Sequence, residues 1–169
     1  MANSSATTPR LTVEYGGNVS ANTTINQNAE LISLTTNGAA AATWTGLINS
    51  NGGDGEGTLN IQGTGGITFA SAVGKAGSGA LLLVNIDQAA TFDGAVEATN
   101  FTVDADSTFT GAVTANTAFT VAGATTDVTV TAASALGTLT ATAGTITANG
   151  LLTTVNTVNT AGKIYLNVA

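Results

Sequence analysis

The chain has 169 residues, a length typical of one domain and sufficient to bury a core. Only 8% of the residues are charged, and the formal net charge is −7. Three cations cannot form the basic cluster that nucleic acid or an anionic membrane surface requires, so we expect neither partner. The chain has no Cys and no His, which removes thiolate chemistry and the commonest general base and metal ligand. The composition therefore predicts a protein that has no cofactor and is not an enzyme.

Short strand-like segments follow one another along the chain, separated by Gly and Asn. The polar residues 1–10 are predicted to be a flexible tail without a signal-peptide core, and residues 11–169 a single β domain. A Gly-rich loop near residues 49–57 is predicted to project from this domain. The predicted strands include residues 11–15, 29–34, 58–61, 81–86, 128–131, 138–142, 145–148 and 164–168.

One short sequence segment, or phrase, is repeated in the middle of the chain. Residues 91–96 return as residues 108–113, a step of 17, and residues 101–103 return as 119–121, a step of 18. Residues 68–73 are an earlier variant of the first phrase. Two phrases that repeat together at this interval are typical of successive rungs of a solenoid. The sequence therefore predicts an all-β, single-domain β-solenoid, or parallel β-helix, with rungs of about 17–19 residues.

Side-chain alternation predicts which residues of these rungs face inward. If Phe92 and Phe101 point into the core, Phe109 and Phe119 stack on them one rung later. Glu97 then points outward and lies beside Thr114, so that like charges are not neighbours. At about 18 residues and about 4.8 Å per rung, the body is expected to be a rod of some eight rungs, about 40 Å long.

Several Thr-, Gly- and Asn-rich phrases resemble the passenger region of bacterial autotransporters, in particular the surface antigens of rickettsia-like bacteria. They are residues 42–46, 57–61, 91–96, 108–113 and 144–149. The resemblance implies a right-handed parallel β-helix at the cell surface or outside the cell, with a role in adhesion or in a surface layer. The chain differs from that family because it shows no signal peptide and no membrane-embedded barrel. Phage tail fibres use similar rungs, often as trimers, and need no signal peptide.

Two groups of acids are candidate calcium ligands. Residues 52–57 resemble a calcium-binding nonapeptide, with Asp54 and Glu56 as ligands, although only one copy is present. Asp104 and Asp106 are the densest pair of acids, and carboxylates of this kind could ligate calcium or act on a glycoside. The competing interpretation, which we favour, is that all four are solvated loop or outward-facing residues.

Threonine and aromatic residues suggest two kinds of contact surface. Thr-x-Thr patterns occur at Thr129/Thr131, Thr138/Thr140/Thr142 and Thr145/Thr147, and rows of this kind on one flat face resemble the ice-binding surface of some β-solenoid antifreeze proteins. The competing interpretation is that Thr is a favoured residue in exposed strands. Trp44, with Tyr15 and Tyr165, could contact a sugar or a partner, but a core or end-cap role is the favoured interpretation.

The ends of a solenoid are open sheet edges unless something caps them, and open edges recruit other chains. The last predicted strand supplies the candidate assembly residues Ile164, Tyr165, Leu166 and Val168. The sequence thus predicts a non-catalytic structural or adhesive surface protein that forms a homo-oligomer or a filament. The alternatives are a phage tail-fibre or decoration module that binds host glycans, and an ice-binding solenoid.

Overall fold

The computed structural model describes residues 9–35, 42–74, 79–159 and 161–167. Every regular element in these ranges is a β-strand, and every strand pairing is parallel. Residues 1–8 of the predicted tail lie outside the described residues, and Arg10 already belongs to the first strand. Within the described residues there is no helix that is long and apolar enough to span a membrane.

The strands form two long parallel sheets in which successive rungs lie side by side. Sheet A has eight strands: β1 Arg10–Tyr15, β3 Glu30–Thr35, β6 Glu56–Gly63, β8 Leu81–Ile86, β10 Val96–Val103, β12 Val113–Val121, β14 Ser134–Ala141 and β16 Leu152–Asn159. Sheet B has seven strands: β4 Ala42–Trp44, β7 Ile67–Phe69, β9 Ala90–Phe92, β11 Ser107–Phe109, β13 Asp127–Val130, β15 Thr145–Ala148 and β17 Lys163–Leu166. The result is the predicted β-solenoid, with about seven turns.

A third, short side completes the cross-section. It begins with the pair β2 (Thr23–Ile25) and β5 (Ile48–Ser50) and continues through bridges from Ile48 to Val73 and from Val73 to Val96. From there it is formed by the first residues of β10, β12, β14 and β16. The pairing of β10 with β12 shifts register between Ala98 and Asn100, which marks the corner between the short side and sheet A.

The predicted rung length holds in part of the chain. Phe101 pairs with Phe119 and Ala98 pairs with Leu81, so the rungs around β10 have the length that the repeated phrases predict. Towards the N-terminus the steps are longer, because Leu31 pairs with Leu59 and Leu59 with Val84. Part of the predicted loop at 49–57 belongs to strands, since β5 ends at Ser50 and β6 begins at Glu56.

Stacked apolar columns fill the interior. The ring centroids of Phe92 and Phe109 lie 4.8 Å apart and nearly parallel, and Phe101 and Phe119 are 5.3 Å apart. The inner column of sheet B consists of Trp44, Phe69, Phe92, Phe109, Val130, Ala148 and Leu166. The inner column of sheet A includes Leu31, Leu59, Val84, Phe101, Phe119 and Leu139. The predicted stacking of aromatic on aromatic is therefore confirmed.

Candidate functional site

The C-terminal end of the solenoid is formed by β16 and β17. Among the described strands they are the last members of sheets A and B, so their outer edges have no described partner strand. Edge strands of soluble proteins are commonly protected by Lys, Pro or a bulge. Strand β16 contains no charged residue and no Pro, and β17 contains a single Lys at its first position. This end therefore offers a nearly unprotected template for strand pairing.

Inward-facing side chains are exposed at this end. Ile164 pairs with the buried Ile146 and is half-buried, whereas Leu166 pairs with the buried Ala148 and is 61% exposed. Thr157 continues the inner column of sheet A, next to Leu139, and is also exposed. Side chains that face inward in the central rungs are fully buried. The core is thus less covered at the last described rung than in the central rungs.

The predicted assembly residues lie at this edge. Ile164, Tyr165 and Leu166 all belong to β17, whereas Val168 lies outside the described residues. Tyr165 points outward from sheet B and is 50% exposed, and Leu151, just before β16, is 63% exposed. Four apolar or aromatic side chains are therefore grouped at one end of the rod.

Charge is distributed unevenly along the chain. Eight of the ten acids fall between Asp54 and Asp127. From residue 128 to residue 169 the sequence contains no acid and one cation, Lys163. Because strand order follows the chain, these eight acids ring the middle of the rod and the C-terminal rungs are almost neutral.

A ladder of threonines runs along the outer face of sheet B. It contains Thr43, Thr68, Thr91, Thr108, Thr129 and Thr147, each paired with the next across adjacent strands. All six side chains are half-buried, and Tyr165 follows them at the C-terminal end. Neighbouring strands lie about 4.8 Å apart, so the hydroxyl groups repeat at that spacing over six rungs.

The Thr-x-Thr residues do not all share one flat face. Thr138 and Thr140 belong to β14 in sheet A, whereas Thr145 and Thr147 belong to β15 in sheet B. Each outer column takes one residue from each strand, since side chains that share a face across parallel strands come from equivalent rung positions.

Asp54 has a structural role in the turn between β5 and β6. Its Oδ1 accepts hydrogen bonds from the backbone amides of Gly79 at 3.0 Å and Ala80 at 3.1 Å. Both bonds lower the pKa of the Asp54 carboxyl below its ordinary value, and the bond from Gly79 has the larger effect. Glu56, its predicted calcium-binding partner, is the first residue of β6.

Asp104 and Asp106 lie at a different corner, between β10 in sheet A and β11 in sheet B. Both are exposed, and Oδ1 of Asp106 accepts a hydrogen bond from the amide of Asp127 at 2.8 Å. The two predicted pairs of calcium ligands therefore belong to separate corners. In the described part of the chain, no three acidic side chains are grouped so that they could hold a metal ion.

The aromatic contact residues are separated by the fold. Trp44 is buried, and its Nε1 donates a hydrogen bond to the carbonyl of Ala21 at 3.1 Å, which confirms the core interpretation. Tyr165 remains accessible at the other end of the rod. The side chain of Tyr15 lies outside the described part of the structure.

No protein-family model matches the chain, and no curated protein and no solved structure shows a significant similarity to it.

The threonine ladder could have been found in the sequence. Each of its members sits between two inward-facing residues, as in Ile67-Thr68-Phe69, Ala90-Thr91-Phe92 and Ser107-Thr108-Phe109. The pattern is hard to see because the triplets are very short and recur at unequal steps along the chain. Aligning Trp44, Phe69, Phe92 and Phe109 and taking the residue before each recovers the first four members of the column.

Proposed function

We propose that this protein is a non-catalytic structural solenoid that assembles end to end into filaments, and that the filaments act in surface structure or adhesion. The observation that carries the proposal is the open C-terminal end, where the inward-facing Leu166 is 61% exposed. Burying an exposed Leu side chain contributes about 1.5–3 kcal/mol, and pairing β16 and β17 adds backbone hydrogen bonds.

The distribution of charge favours association through the ends over association through the sides. Rods that approach side by side bring their acidic middle rungs together, which costs electrostatic free energy. The C-terminal rungs, with Lys163 as their single charged residue, do not oppose contact in this way. A structural role outside the cell is supported by the resemblance of the Thr- and Gly-rich phrases to autotransporter passengers.

The assembly is tested by charging the end of the rod. Leu166→Lys places a cation on the open core, and we expect it to abolish filaments seen by electron microscopy and to leave monomers in light scattering. Leu82→Lys is the matched control, because Leu82 is 44% exposed on β8, in the middle of the rod. A wild-type protein that stays monomeric at high concentration would exclude the proposal.

Ice binding is a second candidate, and the threonine ladder is the observation that favours it. The column is uncharged over six rungs, and each residue offers a methyl group and a hydroxyl group at a regular spacing of about 4.8 Å. A rigid array of this kind could order the adjacent water.

Thermal hysteresis of the purified protein tests this candidate. We expect Thr91→Lys/Thr108→Lys to remove the effect, because both substitutions break the ladder at its centre. Thr102→Lys/Thr120→Lys is the matched control, since these residues pair in the same way on the outer face of sheet A. The absence of hysteresis in the wild-type protein would end the idea.

A further inference from the structure

The assembly proposed above has a direction that the fold itself determines. We infer that the C-terminal rung of one copy binds the N-terminal rung of a second copy, so that the filament is polar and head-to-tail. This inference rests on the proposed function, and it identifies β1 with the segment around Val19 as the surface that receives β16 and β17.

Sheet continuity is the first argument. Strands β1 and β16 are the two outer strands of sheet A, and all strands run parallel. A second copy stacked head-to-tail continues sheet A, sheet B and the short side at once. In a tail-to-tail pair the two copies are related by a two-fold axis perpendicular to the rod. Such a rotation can place one side of the solenoid, for example sheet A, on the same side of the second copy, but it exchanges the other two sides. Sheet B would then meet the short side, which is built from different strands.

The apolar columns are the second argument. The inner column of sheet B ends at Leu166 and begins near Val19, which bridges to Trp44 and is packed against the core. Stacking in register therefore places Leu166 against Val19, apolar on apolar. In sheet A it places Leu11, which is 56% exposed and pairs with the buried Leu31, over Thr157. Both open ends of the core are covered by the same contact.

Charge is the third argument. The described residues 9–35 contain Arg10, Glu14 and Glu30, a net charge of −1, and Arg10 is already paired with Glu30. The C-terminal rung carries only Lys163. Arg10 and Glu14 leave the first rung neutral, and Glu30, at the start of β3 in the second rung, makes the N-terminal end weakly acidic. Head-to-tail contact therefore brings Lys163 to a weakly acidic end, whereas tail-to-tail contact brings together two copies of Lys163.

Disulfide cross-linking tests the direction, because the chain contains no cysteine. Neighbouring strands about 4.8 Å apart match the Cα separation that a disulfide needs. Under mild oxidation we expect Val19→Cys/Leu166→Cys to give a ladder of covalent oligomers on a non-reducing gel. Each single variant alone should run as a monomer on that gel. A mixture of the two single variants should give covalent dimers that contain one copy of each. Leu11→Cys/Thr157→Cys is an independent pair, used if the first pair perturbs folding.

The outcomes separate this inference from the proposed function. Filaments of the wild-type protein together with dimers of Leu166→Cys alone would mean tail-to-tail contact and would overturn the inference. Filaments in which neither pair cross-links would overturn it as well. If the wild-type protein forms no filaments, the proposed function itself fails.

Discussion

Gly111 shows how closely successive rungs approach at one corner of the solenoid. A Cβ atom on Gly111 would lie 2.3 Å from the carbonyl oxygen and 2.4 Å from the carbonyl carbon of Gly94, one rung earlier. Both atoms belong to the backbone, so neither can rotate away. We expect Gly111→Ala to destabilise the protein by about 1–3 kcal/mol, the usual cost of overpacking.

The matched control for this substitution is Gly53→Ala, because nothing lies within 4 Å of a Cβ atom on Gly53. Reduced freedom of the unfolded chain should make that change neutral or stabilising by a few tenths of a kcal/mol to about 1 kcal/mol. Urea unfolding followed by circular dichroism measures both variants. Equal stabilities for the two variants would mean that the rungs are not packed this closely.

The carboxyl group of Glu97 is partly buried, which disfavours its ionised form. Partial burial raises the pKa of its carboxyl, a hydrogen bond from Asn116 opposes that shift, and the charge of Asp54 reinforces it. Because the folded state binds the proton more tightly than the unfolded state, the ionised carboxylate lowers stability above its pKa. This loss disappears as the pH falls and Glu97 becomes protonated.

We therefore expect Glu97→Gln to unfold at a higher temperature than the wild-type protein at neutral pH. The difference should shrink towards about pH 3, where carboxyl groups are protonated in both states. Asp93→Asn removes the same charge from an exposed position, and it should change the unfolding temperature little. A Glu97→Gln variant that is less stable at neutral pH would contradict this view of the site.

The aromatic stack is the element that ties sheet A to sheet B. Phe109 stacks on Phe92 and makes edge contacts with Phe101 at 6.3 Å and Phe119 at 5.7 Å. Its side chain is fully buried. We expect Phe109→Ala to cost about 3–5 kcal/mol, since it leaves a cavity and removes three ring contacts.

Chemical denaturation of Phe109→Ala measures this cost. Leu82→Ala is the control, because it truncates a large apolar side chain that is partly exposed on β8 and should have a much smaller effect. A solenoid is stabilised chiefly by contacts between adjacent rungs. If loss of Phe109 had no effect, the two sheets would be stable without the stack.

At the scale of elements, the sequence was informative wherever large inward-facing residues recur. The stacking of Phe92 on Phe109 and of Phe101 on Phe119 follows from a repeated phrase, because each copy fixes the register of the next. Strands β2 and β5 were not predicted. Both are too short to show alternation, and they are distant in the sequence, since Thr23 pairs with Ile48.

The candidate site was predictable in part for the same reason. The last strand was identified from its apolar residues, and the structure places Ile164, Tyr165 and Leu166 in β17. The exposure of Leu166 was not predictable, because it depends on which column it joins and on where that column stops. The ladder that contains Thr91 and Thr108 likewise depends on pairings across rungs of unequal length.

At the scale of the whole molecule, the ring of acids should keep filaments apart. The net charge is −7 at neutral pH, and the sequence isoelectric point is about 4.1. Repulsion between exposed charges acts over about 10 Å at 0.1 M salt and over about 3 Å at 1 M salt. Rods that touch at their ends escape most of it, whereas rods that lie side by side do not.

We therefore expect single filaments at neutral pH and low salt, and lateral bundles as the pH approaches about 4 or as the salt concentration approaches about 1 M. Electron microscopy and turbidity across a pH series measure the onset of bundling. Asp93→Asn/Asp106→Asn removes two exposed acids from the middle of the rod, and it should move the onset to higher pH. Leu166→Lys raises the net charge by one unit, against two for the double variant. Because it acts at the end of the rod, it should leave monomers at every pH of the series and give no bundles. Bundles of the wild-type protein at neutral pH and low salt would show that the sides attract each other despite their charge.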